Sequence, residues 1–282
     1  MDHDILLCCD RDRTVLPNGH QPESPEARPR LRLIARRPEI TLVYVSGRDR
    51  ALLEAAIREY DIPVPAYAIG DVGTTIYAIQ GDRWRAWNAW REEIAPDWAG
   101  LGRAEMHRLL AGVPGLTLQE PEKQNAFKLS YYAPRDTESA SLRADLSKRL
   151  RPHGVRASII WSVDEAANVG LLDVLPAGAT KLHAIRFLMQ AQGFAAGRMV
   201  FAGDSGNDLP VLTSGLQSVL VRNAATEVRA LALREMQRSG RADKLYLAQG
   251  GFLGMNGNYA AGVLEGLAHY LPETKRWMVV NG

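Results

Sequence analysis

Apolar residues are gathered in short runs, and several of those runs end abruptly in polar clusters. Ile5-Leu6-Leu7-Cys8-Cys9 leads into Asp10-Arg11-Asp12-Arg13-Thr14, and Ile40-Thr41-Leu42-Val43-Tyr44-Val45 ends at Ser46-Gly47-Arg48. Residues 66–69 stop at Gly70-Asp71-Val72-Gly73-Thr74, and Met199-Val200-Phe201-Ala202 runs into Gly203-Asp204-Ser205-Gly206-Asn207-Asp208. Short apolar runs bounded by turn signals predict buried strands; residues 217–221 and 244–247 predict two more. Between them the period changes. Leu53, Ala56, Ile57 and Tyr60 fall on one helical stripe, as do Leu182, Ile185, Leu188 and Met189 after Lys181, with Gly193 as the stop signal. Tyr259, Val263, Leu267 and Tyr270 make a last amphipathic helix, and one more helix is expected within residues 17–38. Strands and helices in alternation predict right-handed crossovers and a mostly parallel α/β sheet.

The alternation breaks from about residue 84. Trp84, Trp87, Trp90 and Trp98 crowd one stretch, Lys128-Leu129-Ser130-Tyr131-Tyr132 and residues 157–162 read as strands, and a helix is expected over residues 136–150. Residues 84–174 are therefore expected to form a smaller α+β domain, inserted into a core domain made of residues 1–83 and 175–282. The tryptophans could stack on sugar rings, but a cluster at helical spacing reads better as the inserted domain's own core.

Composition narrows the function classes. With 282 residues the chain has room for about two domains, and 46% hydrophobic with 23% charged residues is ordinary for a globular protein. A net charge of +2 is too mild for a nucleic-acid partner, and Arg28, Arg30, Arg32, Arg36 and Arg37 read as a solvated helix face. No apolar run approaches the length of a membrane span, and Met1-Asp2-His3-Asp4 lacks the basic flank of a signal peptide, so a cytoplasmic location is expected. The two cysteines, Cys8 and Cys9, are neighbours on a predicted strand and are expected to be core packing in a reducing compartment.

The polar clusters at the strand ends carry the chemistry. Asp10 and Asp12 are two apart on an extended chain and are expected to face one site. Carboxylates gathered without Cys or His imply a hard cation, and Mg²⁺ binds through one or two of them while leaving room for phosphate. Ser46, Lys181 and Asn207 offer donors and one positive charge, which suits a phosphate dianion. An aspartate can be the nucleophile of phosphoryl transfer, and a second carboxylate can give the leaving alkoxide its proton.

These residues resemble the motifs of the haloacid dehalogenase (HAD) superfamily of phosphotransferases. Asp10-Arg11-Asp12-Arg13-Thr14 matches its first motif, Ser46 the second, Lys181 the third, and Gly203-Asp204-Ser205-Gly206-Asn207-Asp208 the fourth. Val45-Ser46-Gly47-Arg48, Gly70-Asp71-Val72-Gly73-Thr74, Phe127-Lys128-Leu129-Ser130-Tyr131-Tyr132 and Leu172-Asp173-Val174-Leu175-Pro176 make the chain similar to the sucrose-phosphate phosphatase group within it. The resemblance implies a Rossmann-like core with an inserted C2-type cap domain, and hydrolysis of a disaccharide phosphate, sucrose 6-phosphate first, through an aspartyl-phosphate. It implies Asp10 as nucleophile, Asp12 as general acid and base, and Mg²⁺ held by Asp10, the Asp12 carbonyl, Asp204 and Asp208. Ser46, Gly47, Lys181 and Asn207 would hold the phosphate. The inserted domain is expected to choose the sugar, with Lys128 and Asp173 as donor and acceptor and Arg48 as a further contact; the alternative is an exposed strand lysine and a turn aspartate. Other readings are a phosphatase for a related compatible-solute phosphate such as mannosylfructose phosphate, or a silent domain partnering a sucrose-phosphate synthase. Silent copies should lose carboxylates, and all four are present here. Arg11 and Arg13 depart from the usual pattern, and on an extended chain both are expected to point away from the Asp pair.

Overall fold

The computed structural model describes residues 5–165 and 167–279; the Met1-Asp2-His3-Asp4 terminus lies outside the described residues. Along the chain, β1 (Ile5–Asp10), α1 (Ala27–Ala35), β2 (Ile40–Val45), α2 (Arg50–Glu59) and β3 (Tyr67–Gly70) alternate as the apolar pattern predicts, and a hairpin of β4 (Thr75–Gln80) and β5 (Arg83–Ala86) follows. Next come α3 (Asn88–Ile94), α4 (Arg103–Leu109), β6 (Thr117–Leu118), β7 (Leu129–Ala133), α5 (Ser139–Leu150), β8 (Ala157–Asp164) and β9 (Val169–Pro176). Alternation then resumes with α6 (Lys181–Gln192), β10 (Met199–Gly203), α7 (Leu209–Leu212), β11 (Ser218–Leu220), α8 (Thr226–Arg238), β12 (Leu245–Leu247) and α9 (Ala260–Tyr270). The chain falls into two compact units, one made of the described residues up to 86 and from 181 onward, the other of residues 87–180.

The first unit holds a sheet in the order β12-β11-β10-β1-β2-β3-β4-β5. It is parallel from β12 to β3 and antiparallel at β4 and β5. β1 lies at its centre and is buried along its whole length, which is why its sequence is an unbroken apolar run rather than an alternating one. Cys8 and Cys9 are free and buried, as expected of packing residues. The basic face of α1 is partly paired rather than simply solvated: Arg28 bonds Glu23, and Arg32 bonds Asp61. α9 differs from its expected one-sided amphipathic form. Ala260 through Ala268 are all buried, because α1, the sheet and the 3₁₀ segment Pro272–Trp277 cover it. Trp84 lies on β5 and meets Tyr77 of β4 edge-to-face at 5.7 Å, so it packs in this unit and not with the later tryptophans.

The second unit is an antiparallel sheet, β6-β7-β9-β8, with helices packed on it. Trp98, Leu129, Tyr131, Leu146, Leu150, Leu172 and Val174 form its core, and Trp90 is fully buried as well. On β9 a Cβ at Gly170 would lie 2.1 Å from the Trp161 ring of the neighbouring strand, so only glycine leaves room for that indole.

Candidate active site

Asp10 ends β1, and the extended backbone ends with it. The amides of Thr14, Val15 and Leu16 all converge on the Arg11 carbonyl, and Arg13 sits in the left-handed region at φ 59°. This tight turn cancels the strand alternation on which Arg11 and Arg13 were expected to point away. The Arg11 guanidinium donates to Asp12 Oδ2 at 2.8 Å and to the Leu52 carbonyl at 3.0 Å. Arg13 Nε donates to Asp204 Oδ2 at 3.1 Å. Arg48 Nε also meets Asp12 Oδ2 at 3.1 Å, and Asn18 Nδ2 donates to Asp12 Oδ1 at 2.8 Å. Asp12 is thus held by two guanidinium groups and an amide.

β1, β2 and β10 are adjacent and parallel, so their carboxyl ends meet at one edge, where ligands of open α/β sheets sit. A cavity of about 530 Å³ opens there, lined among others by Asp10, Asp12, Arg13, Ser46, Arg48 and Asn207, with Gly47 and Asp204 also on its wall. Ser46 is buried, and its Oγ accepts from the Arg48 amide at 3.1 Å. Asn207 is exposed and accepts from Ser205 Oγ.

Lys181, the first residue of α6, bridges two carboxylates: its Nζ lies 2.6 Å from Asp10 Oδ1 and 2.7 Å from Asp208 Oδ1. Asp208 is fully buried and turns its second oxygen to the amides of Asp204 and Ser205, each at 3.1 Å. That position exists because Gly203 has no side chain; a Cβ there would come within 2.8 Å of the Asp208 carboxylate. Burial, and next the Asp208 charge, push the Asp10 pKa up to about 7 despite Lys181. Asp204 is likewise raised to about 6 by burial and then Asp208, with Arg13 pulling the other way. Burial also works against the Lys181 ammonium, yet Asp208 and Asp10 outweigh it and hold its pKa above the ordinary lysine value.

Carboxylate oxygens of Asp10, Asp204 and Asp208 lie within 4.8 Å of one another. Three buried carboxylates, two of them with raised pKa values, are an excess of negative charge that one lysine and one arginine do not neutralise. An all-oxygen donor set of this kind fits a hard divalent cation. Lys128 and Asp173 belong to the second unit. Their charged atoms are 3.9 Å apart, and Asp173 accepts from Ser130 Oγ across the β7–β9 ladder. Arg11, Arg13, Asn18, Thr14 and Asn223 complete the polar surroundings of the first unit's site. The departure of Arg11 and Arg13 from the usual motif was the visible signal for two of them; nothing in the pattern singles out Asn18 or Asn223.

A model of the sucrose-6F-phosphate phosphohydrolase family matches residues 3–271. A relative from Nitrosococcus oceani, known by name only as a HAD-like hydrolase, is 59% identical over 278 residues, which is 99% of this chain and 75% of that protein. Mannosylfructose-phosphate phosphatase of Agrobacterium fabrum is 27% identical over 230 residues, covering 81% of this chain and 82% of its own. Among solved structures, sucrose-phosphatase of Synechocystis in complex with sucrose and phosphate superposes with a TM-score of 0.69 at 25% identity, over 95% of this chain and 98% of the other. No described helix is long and apolar enough to cross a membrane. The chain belongs to the sucrose-6F-phosphate phosphohydrolase family and is a HAD-fold phosphoric monoester hydrolase acting on sugar phosphates.

Proposed function

We propose that the protein is a Mg²⁺-dependent phosphatase whose substrate is sucrose 6-phosphate, and that it works through an aspartyl-phosphate on Asp10. The observation that supports this best is the cavity at the ends of β1, β2 and β10, where Asp10 meets Asp12, Ser46 and Asn207. Asp10, the backbone carbonyl of Asp12, and Asp204 would hold the cation, with Asp208 in support. Bound there, a divalent cation supplies the charge that lets an anionic carboxylate approach a phosphate dianion.

Each step is assigned to residues of this chain. Ser46, the Gly47 backbone, Lys181 and Asn207 grip the phosphoryl oxygens and align phosphorus with Asp10. The Asp10 carboxylate attacks; the P–O bond to the sugar breaks, and Asp12 gives the departing alkoxide a proton. Water then attacks the aspartyl-phosphate, Asp12 takes back a proton, and the P–O bond to Asp10 breaks to release orthophosphate. Lys181, pinned between Asp10 and Asp208, fixes the nucleophile's orientation and balances part of its charge. Arg48 at the cavity wall is assigned to a sugar hydroxyl, and the Lys128 and Asp173 pair of the second unit is assigned to sugar recognition on its own account, because a site that hydrogen-bonds a substrate rejects analogues lacking those groups far better than an apolar pocket does.

A second reading, a phosphatase for mannosylfructose phosphate, is favoured by the Agrobacterium relative. Phosphate release over a panel of sugar phosphates with Mg²⁺ separates the two. Sucrose 6-phosphate should give the highest kcat/KM. A higher value for mannosylfructose phosphate would support the second reading, and glucose 6-phosphate performing as well as either would remove the disaccharide assignment.

A further inference from the structure

Arg13 is engaged on both its backbone and its side chain. Its amide donates to Asn18 Oδ1 at 2.8 Å, and its carbonyl accepts from Asn223 Nδ2 at 2.6 Å, so its Cα is fixed. Its guanidinium spans from Asp204 Oδ2 to the Asn223 carbonyl, at 3.1 and 3.3 Å, through Nε and Nη2. Nη1 makes no hydrogen bond among the described residues, and the side chain is 40% exposed on the wall of the cavity that also contains Asp10, Ser46 and Asn207. Asp204 meanwhile has a donor on each oxygen, Arg13 on one and Thr14 Oγ1 at 3.3 Å on the other. A cation that takes Asp204 as a ligand must therefore compete with Arg13 for it. Arg11 is not in the same position, since it is fully buried and held by Asp12 and the Leu52 carbonyl.

We propose that Arg13 is an exchangeable counter-cation: it neutralises Asp204 while no metal is bound, and it turns to the phosphoryl oxygens once a divalent cation has taken Asp204. This rests on the metal and phosphate sites assigned above and adds a residue to the second of them. The exchange ties the two sites together, because the cation frees the guanidinium and the freed guanidinium meets the incoming phosphate. It also keeps Asp204 from standing uncompensated while the metal site is empty.

The test is titration calorimetry, with Mg²⁺ added to chelator-stripped protein and orthophosphate added to Mg²⁺-loaded protein. Arg13→Asn removes the charge while keeping a residue type that tolerates φ 59°, and Arg13→Lys keeps the charge. Removing a like charge this close to a cation site should tighten Mg²⁺ binding by about tenfold after solvent screening. Losing a charge-assisted contact should weaken orthophosphate by about tenfold. Arg13→Lys should stay within a few fold of the unmodified protein in both. Opposite signs for the two ligands in Arg13→Asn are the required result. Weaker Mg²⁺ binding in that variant would mean that Arg13 merely props Asp204, and unchanged values for both would leave it no part in either site; each overturns the proposal while the metal and phosphate assignments stand. An unmodified protein that binds neither ligand would remove those assignments, and this inference with them.

Discussion

Replacing Asp10 by asparagine should destroy turnover and, in the absence of metal, make the protein more stable. The Asp10 carboxyl titrates at about 7 in the folded chain against 3.8 for an unperturbed group. Between those values the folded state binds more protons than the unfolded one, so stability falls as pH rises through the window. It is complete below the lower value and lost once the upper is passed. The rise from 3.8 to about 7 corresponds to ~4 kcal/mol at pH 8. Asparagine stands in for the protonated acid, and water entry and relaxation soften the cost of a buried charge, so about 2 kcal/mol should be recovered. For a unit of this size that is a rise in Tm of about 4–8 °C. Thermal unfolding followed by circular dichroism in EDTA at pH 8 reads it directly. At pH 5 the gain should shrink to less than half, because most of the penalty has not yet developed there. Added Mg²⁺ should reverse the order, since it stabilises only the chain that binds it tightly. An Asp10→Asn protein less stable than the unmodified one at pH 8 in EDTA, or a gain independent of pH, would refute the reasoning.

Protons and the cation should compete for Asp10 and Asp204, whose pKa values are raised to about 7 and about 6. The apparent Mg²⁺ affinity measured by calorimetry should therefore drop as pH falls from 8 to 5.5; a flat profile would count against these carboxylates as ligands. Asp204→Ala should act chiefly by weakening Mg²⁺ binding, so that raised Mg²⁺ restores part of the lost rate, and Ca²⁺ should replace Mg²⁺ poorly because its larger, irregular shell misplaces the phosphate. Lys128→Ala and Asp173→Ala should each lower kcat/KM for sucrose 6-phosphate by roughly tenfold while p-nitrophenyl phosphate hydrolysis holds, the tenfold corresponding to ~1.4 kcal/mol. Equal losses on both substrates would assign the pair to the second unit's fold, where Asp173 already accepts from Ser130.

The strands of the parallel sheet were legible because burial on both faces forces continuous apolar runs, and each run in β1, β2 and β10 ends at the polar residues that line the cavity. β5 was not legible. Arg83-Trp84-Arg85-Ala86 is an edge strand whose arginines are exposed, so its hydrophobic signal is one tryptophan, and that tryptophan reads as part of the later cluster. β9 was missed as a strand because Gly170 and Asp173 interrupt its apolar run, and the demand for glycine comes from Trp161 on a neighbouring strand. In the site, the two-residue spacing brought out Asp10 and Asp12, and the position of polar residues at the ends of predicted strands and helices brought out Asp204, Asp208 and Lys181. The directions of Arg11 and Arg13 depend on a turn of amides around one carbonyl and a positive φ, which strand periodicity does not encode.

The nucleophile can be caught in the act. Asp12→Asn should slow the water step that frees the phosphoryl group, and p-nitrophenolate leaves without needing the proton that Asp12 gives a sugar alkoxide, so mixing this variant with Mg²⁺ and p-nitrophenyl phosphate, quenching in acid and mapping the modified peptide by mass spectrometry should find a phosphoryl group on Asp10. The same experiment on Asp10→Asn should find none. A phosphoryl group on another residue, or full turnover by Asp10→Asn, would contradict the covalent role assigned to Asp10.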